Sequence, residues 1–142
     1  MSDDPSLELQ IAIVGLLKGD APLTGLIDQR VYDSVPRSSD GKLVTAKFPY
    51  VAFGEEQTVP VDVSCIIGSE IYVTLHAWSR AVGFPEVKKI CGRIRTVLHD
   101  AEIELPTTGL VSLAFDGRRI FRDPDGVTSH GVLTFLAIVE HD

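Results

Sequence analysis

Residues 70–79, Glu-Ile-Tyr-Val-Thr-Leu-His-Ala-Trp-Ser, alternate strictly between apolar and mixed side chains, which predicts a strand with two unlike faces. Ile71, Val73, Leu75 and Ala77 point one way, and Tyr72, Thr74, His76 and Trp78 the other. Such a strand needs partners on both edges and a cover on its apolar side. Two further long strands are expected at about 110–122 and 128–139, joined by Asp123-Pro124-Asp125-Gly126. Proline suits the first central position of a type I turn, and glycine takes the left-handed position after it. The expectation is a three-residue hairpin with a G1 bulge.

The remaining strands are less regular. Phe48-Pro-Tyr-Val-Ala-Phe-Gly54 reads as a strand extended by its proline. Arg30-Val-Tyr-Asp-Ser-Val-Pro36 reads as a short edge strand that Pro36 ends. Residues 37–47 carry turn formers and read as a loop. Residues 57–69 are polar and β-prone without a clean register, either an extended arm or a long hairpin loop.

Helices supply the cover. Asp4-Pro5 pairs an N-cap acceptor with a proline at the first helical position, and Gly19 can end that helix. Leu7, Leu9, Ile11, Ile13, Val14, Leu16 and Leu17 spread over several faces, leaving Glu8, Gly15 and Lys18 as a polar stripe. A helix apolar on most sides is buried on most sides, by strands of its own chain or by a neighbouring subunit. Asp20-Ala-Pro-Leu restarts a short helix to about Ile27. From about 84 to 99, Val87, Ile90, Cys91, Ile94, Val97 and Leu98 fall on one face, with Lys88, Lys89, Arg93 and Arg95 off it as a solvated basic face. The order α-α-β-β-β-α-β-β predicts a single α+β domain over 1–142. It is a largely antiparallel sheet of about five strands, with a helix packed on one face and two N-terminal helices.

Charge and motif chemistry narrow the function. The formal net charge is −7, with eleven acidic and five basic residues in 1–70 against nine and eight in 71–142. Nucleic-acid binders carry the opposite sign, because phosphate contacts supply most of their affinity. No apolar run approaches the roughly 18 residues that span a bilayer, and the acidic Met1-Ser-Asp-Asp4 start is unlike a secretory signal, so a cytosolic product with no membrane partner is expected. Cys65 and Cys91 form no CxxC pair and read as buried thiols. His76 and His130 could meet across strands, yet no HxH or HExxH pattern and no acidic partner reinforces them. Asp123-Pro-Asp-Gly lacks the further ligands of a calcium loop. Neighbours Glu55 and Glu56 should point to opposite faces of a strand and so cannot share a substrate atom. Neither a nucleophile elbow nor a phosphate loop occurs. No catalytic, metal or cofactor residue is therefore assigned, and no cofactor is expected.

Five stretches in order resemble the tail terminator (tail completion) proteins of long-tailed phages, prophages and gene transfer agents. They are Arg30-Val-Tyr-Asp-Ser-Val-Pro, Phe48-Pro-Tyr-Val-Ala-Phe-Gly-Glu, Val73-Thr-Leu-His-Ala-Trp-Ser-Arg, Arg93-Ile-Arg-Thr-Val-Leu-His-Asp and Arg122-Asp-Pro-Asp-Gly-Val-Thr-Ser-His-Gly-Val-Leu. The resemblance covers nearly the whole chain, although 37–47 is longer than the family pattern. It implies a structural protein that forms a hexameric ring, caps the tail tube, stops its polymerisation and joins it to a head connector or stopper protein. It also implies assembly in the host cytoplasm and residence at the head–tail junction. DNA would pass through without specific binding, helped by acidic residues that repel phosphates.

Subunit and tube contacts are expected at Val59, Val61, Asp62, Val63, Ile66 and Ile67 in the 57–69 segment, and at Leu9 and Ile13 of the first helix. Asp123, Pro124, Asp125 and Gly126 are assigned a structural turn. Two rival functions remain at this point: a head-completion or stopper connector, and a small cytosolic ligand-binding or enzymatic α+β domain, which would need a deep pocket with convergent polar groups.

Overall fold

A computed structural model describes residues 4–35, 48–63 and 66–140, with backbone alone at 62, 63 and 66. The elements are α1 (Pro5–Lys18), α2 (Ala21–Ile27), β1 (Val31–Tyr32), β2 (Tyr50–Val63), β3 (Ile66–Ser79), α3 (Pro85–Leu98), β4 (Gly109–Arg122) and β5 (Ser129–Glu140). They form an α+β fold with one five-stranded sheet in the order β1-β2-β3-β5-β4. Every pairing is antiparallel except β1 with β2, which run parallel through Val31↔Val51 and Tyr32↔Ala52. β3 and β4 run the same way with β5 between them, so the chain between them must cross the sheet, and α3 makes that crossing.

The alternation read at 70–79 sorts the two faces as expected. Ile71, Val73, Leu75 and Ala77 are buried under the helices, as are Leu133, Phe135, Ala137 and Val139 of β5. The helices meet them with Leu9, Ile13 and Leu17 of α1, Leu23 and Ile27 of α2, and Val87, Ile90, Cys91, Ile94 and Leu98 of α3. α3 sits close because Gly131 has no side chain: a Cβ there would lie 2.4 Å from Cys91 Sγ. Burial pushes the Cys91 thiol up to about 11, which keeps it protonated and unreactive at neutral pH. Cys65 and the loop expected at 37–47 lie outside the described residues.

Two polar anchors seat the N-terminal helices. Asp20 caps α2 by accepting from Leu23 N at 3.0 Å, and it also receives a bidentate pair from Arg93 of α3 (Nε 2.7 Å, Nη2 2.9 Å). The Arg93 hydrogen bond holds the Asp20 carboxyl below its ordinary range. Arg93 is therefore a tie between helices and not part of a merely solvated basic face. Glu8, expected on a polar stripe, is buried instead. It accepts from Thr107 Oγ1 at 2.6 Å and from Thr107 N at 3.2 Å, pinning the strand lead-in against α1.

The β4–β5 turn forms where expected but is longer. Asp123 and Thr128 close it through Asp123 N donating to Thr128 O at 2.8 Å, and Gly126 N donates to Asp123 O at 3.0 Å. Asp125 then accepts from Val127 N, Thr128 N and Thr128 Oγ1, which lowers its carboxyl to about 2, chiefly through the Thr128 side chain. Those three bonds draw Val127 and Thr128 into the turn, so β5 starts at Ser129 and the expected three-residue loop does not form. Gly126 holds φ +77° with open space around its Cβ position. Gly126→Val should therefore cost about 1–2 kcal/mol through backbone strain alone. An unchanged unfolding midpoint would show that the turn tolerates the change.

Candidate functional site: the open sheet face and the β2–β3 ribbon

All three helices pack on one side of the sheet, which leaves the other side without a described cover. Register alone places an aromatic row across four strands of this open face: Tyr50↔Trp78, Trp78↔His130 and Phe121↔His130. Tyr50 is buried, while Trp78, His130 and Phe121 are half-buried. Trp78 stacks on His130 with centroids 4.7 Å apart and tilts against Tyr50 at 5.0 Å. Phe121 lies 4.7 Å from His130 on the far side.

His76 and His130, whose meeting the sequence allowed, are joined at 2.7 Å between His76 Nδ1 and His130 Nε2. The acidic partner thought absent is Asp123, whose Oδ1 lies 3.1 Å from His130 Nδ1. It went unread because it sits seven residues before His130, on the other side of the hairpin turn. A carboxylate acceptor makes His130 Nδ1 the N–H, so neutral His130 accepts at Nε2 and His76 Nδ1 donates. Burial is the main reason that both rings titrate below 6.5. The unfolded chain therefore takes up these protons first as pH falls. This contribution to stability is whole above 6.5 and is lost as pH drops through the lower folded values. Wild type should lose unfolding midpoint between pH 7.5 and 5.5, and His76→Gln/His130→Gln should lose distinctly less. Parallel pH curves for the two proteins would refute the assignment.

Beyond this row the face opens into a shallow cleft of about 370 Å³ lined by Glu55, Thr74, Asp116, Arg118, Arg119 and Thr134. It lies where two irregularities coincide. β2 shifts register between Phe53 and Glu56, and β4 between Phe115 and Gly117, both level with the Thr74↔Thr134 pair. Bulges at one height on two strands bend a sheet, which hollows it there. Glu55 lines this cleft, whereas Glu56 accepts from Ser6 Oγ of α1 at 2.6 Å, so the two carboxylates do point to opposite faces. Among the described residues no three His, Cys, Asp or Glu side chains converge on a point that could hold a metal ion.

The described residues of the 57–69 segment form an extended arm, a paired one, and not a long hairpin loop. Its residues pair as the outer half of the β2–β3 hairpin, from Gln57↔Tyr72 to Val63↔Ile66. Among the described residues Gly68 is the last of β3 paired to β5, and 61–63 with 66–67 continue beyond it as a two-stranded ribbon. Val59 and Val61 are half-exposed and Ile67 is 60% exposed. Asp62, Val63 and Ile66 are paired through their backbones; their side chains lie outside the described residues. The expectation for α1 is corrected: Leu9 and Ile13 are 1% and 0% exposed, covered by their own chain. The apolar residues that α1 leaves outward are Leu7 and Ile11, at 52% and 64%.

Comparison with known proteins gives this geometry a family. Residues 11–140 match the family described as Tail completion protein gp17. The chain belongs to that family. It is 27% identical over 128 residues to the tail completion protein gp17 of Bacillus phage SPP1, spanning 90% of this chain and 89% of the relative. A chain of the virion of a native gene transfer agent particle superposes with TM-score 0.86 at 26% identity, covering 98% of this chain and 99% of that one. The structure of bacteriophage SPP1 gp17 superposes with TM-score 0.56 at 24% identity over 93% and 88% of the two chains, which speaks to the fold. The resemblance read from five short stretches was thus to the right family, and the family is one of structural tail completion proteins.

Proposed function

We propose that this tail completion protein is the terminator of a tail tube. Six copies close into a ring that caps the finished tube, halts its polymerisation and offers the opposite face to the head connector. The observation that carries this reading is the end-to-end likeness to a chain of a gene transfer agent virion, over 98% and 99% of the two chains. The ribbon formed by 61–63 and 66–67 supports it, because an apolar-bearing projection beyond the described sheet suits contact with a second protein. The net charge of −7 supports a channel through which DNA passes without sticking. Assembly in the host cytoplasm and a final place at the head–tail junction follow from the same reading.

Deleting the gene and restoring it on a plasmid tests the proposal. Particles lacking the protein should carry tails of irregular length that fail to join heads, and complemented particles should show one six-fold ring at the head-proximal end of each tail. A single copy per tail, another symmetry, or a ring that binds the head side and ignores tube protein would replace this reading with a different connector role.

A further inference from the structure

We propose that neighbouring copies join edge to edge, the free edge of β4 in one copy pairing antiparallel with the free edge of β2 in the next. This rests on the ring reading above and names the contact that closes the ring. Both edges are uncovered among the described residues. β1 pairs only with Val51 and Ala52, so β2 has no outer partner from Phe53 onward. The outer edge of β4 is covered only up to its bulge, by Asp100 N donating to Leu113 O at 2.8 Å and Phe115 N donating to His99 Nδ1 at 3.0 Å.

Breaks in each strand delimit the windows. On β2 the window runs from Glu56, after the bulge, to Val59, because Pro60 has no N–H to offer. On β4 regular pairing resumes at Gly117, after the shift between Phe115 and Gly117, and runs to Arg122 before the turn. Its last four residues, Arg119 to Arg122, form the β4 window that the four residues of β2 can cover. Strand directions agree as well: β2 runs with β5 and β4 against it, so a cyclic repeat brings β4 to β2 antiparallel.

Height provides an independent check. Along β3, the β2 window lies level with Glu70–Val73 and the β4 window level with His76–Ser79, a difference of six residues. That is about 20 Å along the strand. Closing a barrel from strands tilted about 35–45° staggers each four-strand unit of β2, β3, β5 and β4 by roughly 13–19 Å, and the steep end of that range comes within about one residue of the offset. In this register Glu56 faces Arg122, both on the helix side, and Val59 faces Arg119 on the open side. Arg119 and Arg122 have no carboxylate partner among the described residues, and Glu56 bonds only Ser6. Opposite charge at the end of the pairing selects this edge match over β4 with β4 or β2 with β2.

The test uses Glu56→Cys/Arg122→Cys in a Cys65→Ser background, oxidised in assembled particles and as concentrated protein. Opposed residues in a pair have the Cα spacing a disulfide needs, whereas the two edges of one copy lie several strands apart. The expected result is a reducible ladder ending at six chains, with Glu56→Cys/Val111→Cys giving at least about tenfold less cross-linked product. Charge reversal provides the second measurement. Glu56→Arg and Arg122→Glu should each lower the ring fraction severalfold at an unchanged unfolding midpoint, and an equimolar mixture should restore it as alternating rings. Wild-type rings with no ladder above the control, or a mixture that restores nothing, would overturn the edge contact alone. Wild-type particles without rings would overturn the ring reading itself.

Discussion

Replacing residues 60–67 with a short Gly-Ser linker should leave a folded, soluble protein that no longer controls tail length. The part removed is Pro60 and the ribbon beyond Gly68, whose described residues neither pair with β5 nor belong to the core. Pairing from Val59↔Glu70 inward remains, so the core loses nothing and the unfolding midpoint should move little. An isolated two-stranded ribbon is marginal in water, and one that exposes Ile67 at 60% gains most by ordering against a partner. In a complementation assay the shortened protein should give tails of widely scattered length, measured by electron microscopy. Tails of normal length would make the ribbon a spacer and move the tube contact elsewhere. The edge windows at 56–59 and 119–122 survive this replacement, so ring formation and tube capping can be separated.

The largest effect on stability is expected at Phe135. It is fully buried in β5, edge-on to Phe115 at 5.6 Å, on the sheet face that the helices cover. Phe135→Ala should cost about 3–5 kcal/mol, because the flanking β3 and β4 are held by their own pairing and cannot collapse into the space. For a chain of this size that lowers the unfolding midpoint by roughly 10–20 °C. A loss below about 1 kcal/mol would mean that the core at this point repacks freely. Leu133 and Ala137, two residues away on the same face, offer smaller volumes to remove and set the scale for comparison.

Local chemistry was enough for elements and their order. Period-two alternation named both faces of β3, one-face spacing named the buried side of α3, and proline and glycine placed the helix starts and the β4–β5 turn. These signals are legible because each is imposed by neighbours within a few residues. The five-stranded, largely antiparallel sheet followed from element order, and the family from short stretches in sequence.

Contacts across the chain had no such signal. Glu8 looked like a surface residue until Thr107, 99 positions away, came to satisfy it under cover. Arg93 looked solvated until Asp20 reached it from α2. α1 is apolar almost all round, so its sequence could not say that Leu9 and Ile13 turn inward while Leu7 and Ile11 stay outside. The sheet and α3 decide that by where they lie. The bulge between Phe53 and Glu56 puts 57–63 out of phase with the start of β2, and only pairing with β3 supplies the register. By itself, then, the sequence determined periodicity, turn positions, element order and family. The tertiary structure decided which polar groups are buried, which apolar ones are free, and which two edges of the sheet remain open. These depend on distant partners, and a single chain records its partners only through the fold.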